Sequence, residues 1–101
     1  MNSETLPVAC RLTETELRER REGLLREISS AVLERRDLSD GCAFRFDESE
    51  ATLNRLVHLI RLERACCPFL TFRLTFEPAG GPVWLNVTGP EGTREFLASL
   101  L

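Results

Sequence analysis

The chain is expected to fold as an α+β domain, a β-α-β-α-β-β-α sandwich with helices packed on a small mixed sheet. Three observations predict this. Two segments carry apolar residues three and four apart behind a capping pattern, the mark of amphipathic helices. Three others show the period-two alternation or the turn-bounded apolar run of strands. The 101 residues, 43% hydrophobic and 29% charged, match one ordinary globular domain and not a disordered chain. Residues 1–5 are expected to be a disordered N-terminus and residues 6–101 the single domain.

Leu6 to Leu12 reads as a short strand, with Val8, Cys10 and Leu12 on one side. Thr13 and Glu16 form a capping box that opens a helix running to about Arg36. Its stripe is Leu17, Leu24, Ile28 and Ala31/Val32, and Glu-to-Arg pairs four apart support its exposed flanks. Gly23, inside this helix, costs about 1 kcal/mol relative to alanine, which suggests a close packing partner. Asp37 to Gly41 reads as a loop, and Cys42, Phe44 and Phe46 as one face of a half-buried strand. Asp47 and Glu50 suggest the cap of a second helix, whose stripe is Leu53, Leu56, Val57 and Ile60. That helix must stop near Cys66, because a residue before proline is pushed out of the helical region. Phe72, Leu74 and Phe76 face one side of a third strand, Pro78 to Pro82 is a hairpin turn, and Val83 to Thr88 returns. Gly89-Pro90-Glu91 opens a short last helix, docked by Phe96, Leu97 and Leu100.

A net charge of -3 gives no electrostatic footprint for nucleic acid. Met1 to Pro7 lacks the basic and apolar regions of a secretory signal, and no apolar run approaches the roughly 18 residues of a membrane span. A cytoplasmic chain is therefore expected, with its four cysteines reduced and thus suited to metal ligation or catalysis rather than to a disulfide scaffold.

The run Glu63-Arg64-Ala65-Cys66-Cys67-Pro68-Phe69 carries the strongest chemical signal. Side chains of successive residues diverge on a helix or strand, so one thiol is expected in the core and the other left for chemistry. Cys10 admits two readings: a thiolate favoured by the positive end of the first helix, or a continuation of the Val8/Leu12 face. Cys42 reads as core. Glu63 shares the side of Cys66 and Cys67, where a lone carboxylate is costly. Arg21, on the stripe of the first helix, is expected to snorkel to water, with an ion pair to Glu63 as the alternative. His58 lies two turns before the thiols and is not expected to be a ligand. There is no Cys-x-x-Cys pair, phosphate loop or nucleotide fingerprint.

Cys10-Arg11-Leu12-Thr13, Glu63 with Cys66-Cys67-Pro68-Phe69, and Val87-Thr88-Gly89-Pro90 together resemble a small bacterial family found near heavy-metal resistance genes. Similar segments follow mercury-type regulators, and the resemblance runs from Cys10 to the C-terminus. It implies Cys10, Cys66 and Cys67 as the functional thiols, with Glu63 beside them.

The expected function is cytosolic binding of a thiophilic ion (mercury(II), copper(I) or arsenic(III)) through Cys10, Cys66 and Cys67, supported by Glu63 and Arg21. Soft centres are content with two or three sulfurs, whereas structural zinc wants a fourth ligand, for which only Glu63, Cys42 or water is available. The Cys10 sulfur is expected within about 4–7 Å of one sulfur of the pair, given metal–sulfur bonds near 2.3 Å. The runner-up is a thiol redox protein in which Cys10 attacks and one of the pair resolves; a third reading is an interaction module without thiol chemistry. An enzyme, if it is one, would be a thiol oxidoreductase. The partner expected is the metal ion, with neither nucleic acid nor membrane, and the sequence leaves a homodimer open.

Overall fold

The computed structural model describes residues 15–98. The expected Leu6–Leu12 strand, the Thr13 cap, Cys10 and Leu100 lie outside the described residues. Within them the order is α1 (Thr15–Ala31), β1 (Glu34–Leu38), β2 (Gly41–Phe46), α2 (Glu50–Cys66), β3 (Thr71–Phe76), β4 (Val83–Thr88) and α3 (Thr93–Ala98). The fold is α+β. Its four strands lie in the order β1-β2-β4-β3, and each neighbouring pair is antiparallel. The expected mixed sheet is thus corrected for the described residues. The short β1–β2 and β3–β4 connections allow only antiparallel neighbours, and the α2 crossover sets β3 beside β4, not β2.

Helix α1 ends at Ala31, five residues before the expected Arg36, and the next segment is a strand. Glu34-Arg35-Arg36-Asp37 has no strand-like apolar pattern, so its conformation comes from its neighbours. It pairs along β2 from Glu34↔Arg45 to Leu38↔Gly41, and the Arg36 guanidinium lies 4.5 Å from the centre of the Trp84 ring. Sheet pairing outweighs helix propensity here. Gly41 is required where this hairpin meets β4, because a Cβ there would sit 1.9 Å from the Val87 carbonyl oxygen.

The register places Phe46, Val83 and Phe76 in one cross-strand row, Phe44, Leu85 and Leu74 in the next, and Cys42, Val87 and Phe72 in a third. This face packs with Leu24, Leu25 and Ile28 of α1, Leu56 and Leu59 of α2, and Leu97 of α3. Phe76, at the end of its row, is half exposed. The β3–β4 turn uses positive φ at Ala79 (59°) and Gly80 (69°), the pair of left-handed residues a primed hairpin turn requires.

The buried stripe of α2 is Thr52, Leu56, Leu59, Glu63 and Cys66, turned slightly from the expected one, and Val57 is half exposed. Its N-cap is Ser49, whose Oγ accepts from the Thr52 N–H at 3.2 Å; Asp47 acts one step earlier, accepting from the Ser49 N–H at 3.0 Å. The bond from the Ser49 N–H is the main reason the Asp47 carboxyl lies below its ordinary pKa. Among the described residues the atom nearest to a Cβ built at Gly23 is the end of Arg26, 4.0 Å away, so none of them is the expected close partner. The last helix starts at Thr93, beyond the expected Pro90, after a positive φ of 97° at Gly92.

Candidate metal centre

Two buried stripes meet where α1 crosses α2. Arg21 continues the Leu24/Leu25/Ile28 stripe of α1, and Glu63 lies between Leu59 and Cys66 on that of α2. Each is less than a tenth exposed, at 8% and 3%. Arg21 does not snorkel to water. Its Nε and Nη2 donate to the two carboxylate oxygens of Glu63, Nη2 to Oε1 at 3.0 Å, as a two-pronged ion pair. Such a pair matches the planar guanidinium to the planar carboxylate and fixes the orientation of both.

Both thiols then fall on the same carboxylate. The Cys66 Sγ–H donates to Glu63 Oε2 at 3.5 Å, and the Cys67 Sγ–H to Glu63 Oε1 at 3.8 Å. Each carboxylate oxygen thus accepts from one guanidinium nitrogen and one sulfur. The two sulfurs lie 3.4 Å apart, too far for a covalent bond between them and close enough to share one ion. Cys66 and Cys67 are exposed by only 1% and 0%. One ligand atom from each of Glu63, Cys66 and Cys67 falls within 4.8 Å of the others.

This convergence corrects the expectation that one thiol fills the core while its neighbour turns away. Cys66 is the last helical residue, and Cys67 caps the helix at φ −127°, ψ 70°. Pro68 pushes its predecessor out of the helical region, so the helical rotation between neighbours no longer applies at this step. The Cys67 N–H still closes the last helical bond to the Glu63 carbonyl at 2.6 Å, and its own carbonyl accepts from Leu70 at 3.2 Å across a tight turn. Phe69 closes over the thiols, with the Phe96 ring of α3 set edge-on to it at 5.2 Å. The sequence patterns do not mark these two aromatic walls as part of the site; the one signal for them is Phe69 directly after Cys-Cys-Pro.

The remaining candidates separate cleanly. Cys42 is fully buried in the main core, in the β2 row with Val87 and apart from the Cys66/Cys67/Phe69 cluster, and Arg35 Nη2 donates to its sulfur at 3.2 Å. His58 is exposed on α2. Cys10, and with it the expected 4–7 Å approach to the pair, lies outside the described residues. No family model, curated protein or solved structure matches this chain.

Proposed function

We propose that the chain binds a thiophilic metal or metalloid ion through Cys66 and Cys67, in heavy-metal resistance or sensing. Glu63 serves as a further donor or as the group that orients both sulfurs. The observation that carries the reading is the convergence of two buried thiols on one carboxylate, all within 4.8 Å. A core needs no such arrangement, since apolar side chains of similar size pack there without polar partners. Arg21 cancels the charge of Glu63, so the added charge of the ion need only be balanced by thiols that lose their protons on binding. Cys10 is the third thiol of this reading, and mercury(II), copper(I) and arsenic(III) are its candidate ions, ahead of zinc(II). Among the described residues no helix is long and apolar enough to cross a membrane, and a cytoplasmic setting is part of the proposal.

The test is to titrate the reduced protein with mercury(II), copper(I), arsenic(III) and zinc(II), following sulfur-to-metal charge-transfer absorbance and intact mass. One equivalent of a soft ion should bind, and Cys66→Ala or Cys67→Ala should remove it. The redox reading draws on the same 3.4 Å sulfur contact. It gains if soft ions give no adduct while a mild oxidant yields a defined disulfide between Cys10 and Cys66 or Cys67.

A further inference from the structure

We propose that the Cys66–Cys67 pair is set for a pyramidal trivalent metalloid of the arsenic(III) or antimony(III) class, in preference to linear mercury(II). The inference rests on the soft-ion reading of the same site and narrows it. The span of the sulfurs comes first. With bonds of about 2.3 Å, the length of a zinc–thiolate bond, sulfurs 3.4 Å apart subtend about 95° at a shared centre. That is the angle of a centre with three bonds and a lone pair. A linear centre with the same bonds needs sulfurs about 4.6 Å apart, and a flat trigonal one about 4.0 Å. Spreading the pair that far means displacing side chains from a packed pocket, since both sulfurs are buried against Phe69, Leu70 and Phe96.

Charge separates the metalloid from copper(I), though not from mercury(II), whose complex with two thiolates is neutral as well. Arg21 and Glu63 already neutralise each other. A trivalent metalloid hydroxide arrives neutral and exchanges two of its hydroxides for the two thiols. Two metalloid–oxygen and two S–H bonds break; two metalloid–sulfur bonds and two O–H bonds of water form. No electrons are transferred, and the buried site stays neutral throughout. Copper(I) bound by two thiolates would instead leave a net negative charge in the same pocket, a costly burial. Zinc(II) would balance the charge, but it wants four ligands.

The experiment uses the reduced full chain and two probes. Phenylarsine oxide, once hydrated, offers two exchangeable positions and so reports a thiol pair; mercury(II) chloride is the linear comparison. Each is equilibrated against dithiothreitol, a flexible dithiol that fits either geometry, and the adducts are counted by native mass spectrometry. The protein's advantage over dithiothreitol should be at least roughly tenfold larger for the arsenical than for mercury, because a preset span lowers the cost of binding only for the centre it fits. An equal or larger advantage for mercury overturns the metalloid preference and leaves the soft-ion reading standing. Absence of any adduct with either probe sinks both. The arsenical adduct should survive Cys42→Ala and be lost in Cys66→Ala and Cys67→Ala; persistence in both of the latter also overturns the proposal. The wild-type comparison does not depend on any variant folding.

Discussion

Glu63 is a charged residue at a position where α2 would otherwise place an apolar one, and Arg21 is what makes it tolerable. Removing one partner leaves the other charge buried alone, which costs about 3–5 kcal/mol, whereas replacing both with apolar residues is often near neutral. Urea denaturation should therefore show Arg21→Met strongly destabilised and the Arg21→Met/Glu63→Met double variant largely recovered, while the double variant holds the soft ion less tightly than wild type. Cys42 behaves differently. Cys42→Ala should lose on the order of 1 kcal/mol to a small cavity and keep full ion uptake; loss of uptake without loss of stability would put the functional thiol on β2. Gly23 is the residue with most to gain. With no atom of the described residues closer than 4.0 Å to a Cβ built there, Gly23→Ala should raise stability by about 0.5–1 kcal/mol in the same denaturation assay.

At the scale of elements, the centre depends on how α2 ends. A helix continued through Cys67 would carry the second thiol round the axis; the exit forced before Pro68 and the turn to Leu70 keep both sulfurs on Glu63. On the far side of the sheet, β1 is a charged edge strand held by Glu34, which accepts from Arg36 at 2.8 Å and from Arg45 at 3.2 Å. The Arg36 bond is the main reason the Glu34 carboxyl lies below its ordinary pKa. A carboxyl lowered on folding contributes stability above its unfolded pKa and loses it as pH falls through the folded value. The stability gap between wild type and Glu34→Gln should thus be constant from neutral pH down to the ordinary carboxylate range and then narrow as pH drops below it. A gap that does not change with acidification would remove Glu34 from the ties that hold β1. These charges also make β1 illegible as a strand in the sequence. Its conformation depends on pairing with β2 and on the distant Trp84, and nothing in Glu34-Arg35-Arg36-Asp37 itself announces a strand.

For the whole molecule, the elements with their own apolar period were legible: α2, β2, β3 and β4 stand close to where the patterns put them, and so does the core position of Cys42. The centre was half legible. Glu63 and the thiol pair share one helical side by spacing alone, and Arg21 sits on a stripe, but only the packing of α1 on α2 decides that the arginine turns inward to the carboxylate. The convergence of adjacent thiols was not legible, because it depends on a backbone turn rather than on a period. X-ray absorption on the arsenic(III)- or mercury(II)-loaded reduced protein tests the central claim most directly. The expected first shell contains at least two sulfurs at about 2.3 Å, and at least one is lost in Cys66→Ala and in Cys67→Ala. A shell of oxygen and nitrogen alone, or a sulfur shell unchanged in both variants, would contradict an ion held by this pair.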